Sequence, residues 1–177
     1  MSSESVKANI ALPDRGIVYI VGEIDEELTA KVVLGIEACA LEKLRVLISS
    51  EGGDVFDGTA IANAIHAAKD RGIEVEAEVY GYCFSSANFA LMAASHRRMR
   101  KDAWLGIHGM ASGMGGDMRG LDVEHAFNQR LVDQQAELYA SRSHHDAAYW
   151  LPILRERHVK YYSAGEALEE GLVDEIV

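Results

Sequence analysis

Three apolar runs, each followed by a stretch with helical spacing, constrain this chain more than any other feature of its sequence. Ile17-Val18-Tyr19-Ile20-Val21 and Leu44-Arg45-Val46-Leu47-Ile48 are rich in β-branched and aliphatic residues, as strands buried on both faces are. Ile73-Glu74-Val75-Glu76-Ala77-Glu78-Val79-Tyr80 alternates apolar and acidic residues with period two and predicts a half-buried strand. After the first run, Asp25, Glu26 and Glu27 put carboxylates at the positive end of a helix. Leu28, Val32, Val33, Ile36 and Leu41 then recur at helical spacing to about Glu42. After the second come a Gly-Gly turn and a helix with Ala60, Ile61, Ala64, Ile65 and Ala68 on one face. After the third, Phe89, Leu91, Met92, Ala93 and Ala94 read as a small buried helix. Strands and helices alternating through short turns predict a parallel α/β core.

A chain of 177 residues, 49% of them apolar, supplies one sizeable core, so residues 1–177 are expected to form a single domain with 1–15 as an N-terminal segment. The formal charge of −11 argues against a nucleic-acid or anionic-membrane surface, since either needs clustered Lys and Arg. The one basic run, His96-Arg97-Arg98-Met99-Arg100-Lys101, reads as a solvated turn. No basic region leads into an apolar core at the start, and no apolar run approaches the roughly 18 residues of a membrane span. Cys39 and Cys83 lie far apart without metal spacing, which points to reduced thiols and a cytoplasmic location.

The C-terminal half is read the same way. Arg97 to Met110 predicts a pair of strands, the second ending at His108. Gly109, Gly113, Gly115, Gly116 and Gly120, interleaved with Met110, Met114 and Met118, make an easily reshaped edge strand or loop. From Leu121 to about Arg142 the pattern is helical, with Val123, Phe127, Leu131 and Leu138 as an apolar stripe suited to self-association. Asp146 to about Arg157 predicts another helix, which Pro152 bends or limits. Ser163 and Glu166 form a capping box that opens a short helix closed at Gly171.

Chemistry enters at Gly81-Tyr82-Cys83-Phe84-Ser85-Ser86-Ala87-Asn88, where the third strand meets its helix. A hydroxyl at such a turn is held rigidly beside the free N–H groups of the first helical turn, which suits a nucleophile that must generate an oxyanion. The same serines also make ordinary N-caps. In Ser49-Ser50-Glu51-Gly52-Gly53-Asp54, two glycines at a strand end let the backbone approach closely with its N–H groups outward. Neither a further Gly nor Gly-Lys-Ser/Thr follows at the spacing of a dinucleotide or phosphate loop. His108, at the end of an apolar strand, is either a catalytic base or a hydrogen-bonded structural residue.

Taken in order, these landmarks resemble the proteolytic subunit of the Clp protease, within the ClpP/crotonase fold. Gly16 to Ile24 looks like that family's first strand, and Ile48-Ser49-Ser50-Glu51-Gly52-Gly53 like its Asn-Ser-Pro-Gly-Gly turn. Gly81 to Ser85 resembles its nucleophile turn, Ile107-His108 its catalytic histidine, and Tyr162 to Ala167 with Glu170 to Asp174 its C-terminal segments. The resemblance implies an α/β fold of repeated β-β-α and βα units with a projecting handle helix. It further implies a serine endopeptidase with Ser85 as nucleophile, His108 as general base, and the backbone N–H groups of Gly53 and Ser86 as the oxyanion hole. No metal or organic cofactor is implied. The partners implied are polypeptide substrates, a homo-oligomeric ring of seven or two stacked rings, and an AAA+ unfoldase. One position departs from the family: its triad aspartate falls on Val159, which accepts no hydrogen bond, and Glu156 and His158 are the nearest polar alternatives. Glu51 also stands where the family has proline, bringing a negative charge near the oxyanion hole. A catalytically weak or inactive ring subunit is therefore the first alternative, and a crotonase-type acyl-CoA enzyme the second.

Overall fold

The computed structural model describes residues 11–109, 118–156 and 158–177. Its frame is a mixed, mostly parallel sheet. β2 (Ile17–Ile24), β3 (Lys43–Gly53) and β4 (Glu74–Phe84) run parallel side by side, and β1 (Ala11–Leu12) pairs antiparallel with β2. Helices α1 (Glu26–Glu37) and α2 (Val55–Asp70) make the crossovers, and α3 (Ala87–Ala93) follows β4. Asp25 caps α1 by accepting from the Leu28 N–H at 2.8 Å. Helix α1 stops at Glu37 rather than near Glu42; Leu41 is 43% exposed, so its helical spacing carries no packing.

Between sheet and helices lies a core of Val18, Ile20, Val46, Ile48, Val75 and Val79 against Val32, Ile36, Ile61, Ile65 and Leu91, all buried. Each such side chain contributes about 1.5–3 kcal/mol on burial. Free thiols Cys39 and Cys83 are buried in the same core, and burial pushes the Cys83 thiol far up.

Strand β4 is longer than its alternating run, because Gly81 to Phe84 continue the ladder instead of turning. Its length lets two strands share one edge. β5 (His96–Met99) pairs with Glu76–Val79 and β6 (Trp104–Ile107) with Tyr82–Phe84, both parallel. The expected strand pair is thus two strands placed end to end along β4, not paired with each other. β7 (Lys160–Ser163) lies antiparallel on β6, and β8 (Glu175–Ile176) parallel on β5.

The basic run is likewise not a solvated turn: His96 to Met99 is β5, and its arginines have acidic partners waiting. Arg97, 6% exposed, meets Asp174 Oδ1 at 2.5 Å and Oδ2 at 3.1 Å. Arg98 reaches Glu76 at 3.0 Å, and buried Glu78 lies 2.7 Å from both Arg100 and Arg45. The acidic alternation of β4, legible in the sequence, is what draws these cations onto the sheet. Burial pushes the Asp174 carboxyl up, but hydrogen bonds from the Arg97 side chain and backbone outweigh it and hold it below its ordinary value.

Helix α4 (Met118–Ser141) begins before Leu121; most of the glycine-rich stretch preceding it, residues 110–117, lies outside the described residues. Its C-terminal part is buried through Ala136 and Tyr139, whose ring sits 5.2 Å from Trp150 of α5 (Ala147–Arg155). Phe127 stays 47% exposed and stacks on Phe56 at 6.3 Å. The Ser163–Glu166 capping box is present and opens α6 (Ala164–Glu169). Among the described residues no helix is long and apolar enough to cross a membrane.

Candidate active site

Immediately after β4, Ser85 takes a φ of 54°, the left-handed region, which costs a residue with a Cβ about 1–2 kcal/mol. Neighbouring groups hold it there. The Ser85 N–H donates to the Gly106 carbonyl of β6 at 3.0 Å. The Ser85 carbonyl accepts from the Asn88 N–H and from Asn88 Nδ2, each at 3.1 Å. Ser85 is half-buried, whereas Ser86 is 1% exposed and donates its hydroxyl to the Gly53 carbonyl at 3.3 Å. Ser86 occupies the N-cap of α3 without making a side-chain capping bond, so capping does not account for it.

The glycine turn packs directly on this elbow. Gly52 has φ 88°, and a Cβ there would lie 2.6 Å from the Phe84 carbonyl oxygen and 2.8 Å from Ser85 Cβ. Only glycine fits. Ser50 fixes the turn from below, donating to the Gly22 carbonyl at 2.6 Å and accepting the Gly52 N–H at 3.0 Å. Gly53 pairs with Ile24 at the end of the β2–β3 ladder, and Asp54 caps α2 by accepting from the Phe56 and Asp57 N–H groups. Glu51 is exposed and accepts from the Tyr82 hydroxyl at 3.4 Å; its charge pushes the Tyr82 phenol up.

His108 stands two residues beyond Gly106, just past the end of β6, the strand that pairs with the end of β4. In the β6–β7 ladder Gly106 faces Tyr161 and Ile107 faces Lys160. Continued by one residue, that register sets His108 across from Val159. The Val159 side chain lies on the corresponding face of β6, with Cγ1 only 3.1 Å from where a Gly106 Cβ would stand. Among the described residues the His108 ring makes no ion pair and one hydrogen bond, its Nδ1–H donating to the Gly109 carbonyl at 2.6 Å, the tautomer that puts a lone pair on Nε2. Gly109 is pressed against α5, where a Cβ would fall 1.6 Å from the Leu154 carbonyl oxygen. Glu156, at the C-terminal end of α5, and His158 are both exposed.

The ends of β3, β4 and β6 therefore carry the Gly-Gly turn, the serine turn and the histidine side by side. Two members of this arrangement escape a sequence reading, Asn88 and Gly109. The signal for Asn88 was present: it is the one amide in the otherwise apolar helix Ala87–Ala93. Among the described residues no three His, Cys, Asp or Glu side chains converge as metal ligands. Such an arrangement can deliver a hydroxyl, a base and backbone N–H donors to one carbonyl, the requirements of acyl transfer.

Comparison with curated proteins gives no match. The sequence pattern described as Clp protease matches residues 2–177, and the mixed α/β sheet has the fold expected of that family. Over nearly its whole length, then, this chain belongs to the Clp protease family, a family of peptidases.

Proposed function

We propose that this protein is a serine endopeptidase acting on polypeptides. Ser85 Oγ attacks the scissile carbonyl while its proton passes to His108 Nε2, and the N–H groups of Gly53 and Ser86 stabilise the resulting oxyanion. His108 returns the proton to the leaving amine as the C–N bond breaks, and water then releases the acyl group by the same path in reverse. The observation that carries this reading is the left-handed Ser85, packed against Gly52 and bonded to the strand that leads to His108. The hydroxyl of Ser86 is already engaged with Gly53, which leaves Ser85 as the serine available for attack.

The third member of the triad is replaced by backbone. A carbonyl at Gly109 fixes the tautomer of His108, as a triad aspartate does, but brings no full negative charge to the imidazolium formed during attack. Slow basal hydrolysis follows. By family resemblance the active form is a homo-oligomeric ring in the cytoplasm that receives substrate from an AAA+ unfoldase, with no organic cofactor. Val159 across from His108 favours one alternative, a ring subunit with little catalysis of its own.

A serine-directed fluorophosphonate tests the assignment. The parent and Ser86→Ala should be labelled, whereas Ser85→Ala should lose labelling and at least about a thousandfold in turnover, the scale for removing a nucleophile. Labelling that persists in Ser85→Ala and vanishes in Ser86→Ala would reverse the two roles. Light scattering should give a mass several times the 19.4 kDa of one chain; a monomer at micromolar concentration would remove the ring from this account.

A further inference from the structure

From the hydrogen bonds of its side chain we infer that Asn88 is the positioning residue that sets the nucleophile turn against the histidine strand; the inference rests on the assignment of Ser85 and His108 above. Asn88 is fully buried in a helix whose other members, Ala87 and Phe89 to Ala93, are apolar. A buried amide is retained only where its polar atoms are used. Its Nδ2 donates to two carbonyls at once, that of Ser85 at 3.1 Å and that of Gly106 at 2.8 Å. Both neighbours are acceptors, so the amide orientation is dictated by chemistry: the NH2 must face them.

Those two carbonyls belong to different strand ends. Ser85 follows β4, and Gly106 lies on β6 two residues before His108. The Gly106 oxygen also receives the Ser85 N–H at 3.0 Å, and the Ser85 oxygen the Asn88 N–H at 3.1 Å. Asn88 thus closes a small network that fixes the strained Ser85 backbone and ties it to the strand carrying the base. Among the described residues the Oδ1 of Asn88 is buried without a hydrogen-bond partner, so its hold on the two strand ends comes from Nδ2 alone. Asn88 touches no reacting atom. Its effect is on the geometry between Ser85 and His108, and displacement by about 1 Å at such a site costs on the order of a hundredfold in rate.

The test compares fluorophosphonate labelling rates at Ser85 across pH for the parent, Asn88→Ala, Asn88→Ser and Asn88→Asp, with melting temperature and assembly measured in parallel. In folded Asn88→Ala, labelling should fall about tenfold to a hundredfold. Asn88→Ser, which keeps one donor, should recover part of it. Asn88→Asp supplies the sharper readout: protonated, the carboxyl still donates to one carbonyl, but ionised it repels both. Its labelling relative to the parent should therefore decline as pH rises, a profile that simple loss of packing does not produce. Amide exchange at Ser85 should quicken in Asn88→Ala, since its bond to Gly106 loses support. If Asn88→Ala fails to fold, the Ser and Asp variants decide the matter on the same measurements. A labelled parent with Asn88 variants that match its rate and pH profile would overturn the positioning role and leave Ser85 as nucleophile. A parent that is never labelled at Ser85 would overturn both.

Discussion

The serine turn and the histidine end of β6 are neighbours, yet they are built to different standards. Around Ser85 the backbone N–H and carbonyl are both bonded, Ser86 is tied to Gly53, and Gly52 leaves no room for a side chain between the two turns. Around His108 the ring has one hydrogen bond among the described residues, to the carbonyl of its own neighbour, and the β6–β7 ladder continued by one residue would set Val159 across from it. Oxyanion stabilisation depends on fixed backbone donors, while proton transfer depends on the orientation and charge around one imidazole. In the proposed mechanism the acyl-binding half thus has a rigid frame and the base a minimal one. The expected result is a site that reacts with an activated electrophile more readily than it turns over a peptide.

That contrast can be broken most forcefully at Gly52. In Gly52→Ala a methyl must enter where Phe84 O and Ser85 Cβ now stand, with φ at 88°. We expect a stability loss of about 2 kcal/mol or more and labelling slowed about tenfold to a hundredfold, checked by thermal melting and reagent kinetics. Labelling at the parent rate would mean that the two turns are adjacent without being coupled. Val159→Asp works on the weaker half and should raise turnover about tenfold with little change in KM, because a carboxylate there acts on the transition state. A Val159→Asp enzyme no faster than its parent would show that the Gly109 carbonyl suffices.

The smallest effect should come from a region apart from both. The Asp174 carboxyl is held below its ordinary value when folded, so it adds stability that is present above its unfolded pKa of about 4 and lost as pH falls through the folded value. Melting temperature should decline more steeply on acidification for the parent than for Asp174→Asn, while labelling of Ser85 at neutral pH stays the same in both. Equal acid limbs would remove the Arg97–Asp174 pair from the stability account.

Much of this arrangement is legible in residue order, for a physical reason. The apolar runs Ile17 to Val21 and Leu44 to Ile48 do mark strands, and short turns fix which strand ends meet, but the expected burial on both faces does not hold for the first: Val18 and Ile20 are buried while Val21 is 60% exposed. The glycines and serines do mark where β3 and β4 end, because each interrupts a strong pattern, but both strands run farther than the expected turns, to Gly53 and to Phe84. What escapes is whatever depends on a distant partner. His96 to Lys101 reads as a polar turn until Glu76, Glu78 and Asp174 come alongside. Gly109 gives no hint in sequence of the Leu154 carbonyl it must admit. Asn88 is visible as an oddity, but its two acceptors lie on separate strand ends that only the register of β4 and β6 brings within reach.

Cys83 lies two residues ahead of Ser85 in the central strand, fully buried, with burial pushing its thiol far up; Cys39, near the end of α1, is 5% exposed. Alkylating reagents attack thiolates, and a sulfur so enclosed offers almost none until the strand itself parts from its neighbours. The rate at which Cys83 is trapped by excess reagent is therefore a clock for opening of the strand that leads to Ser85. Cys39, buried just past the C-terminal end of α1, keeps separate time for that helix end. One alkylation experiment on the two thiols thus distinguishes opening at the end of α1 from opening of the central strand.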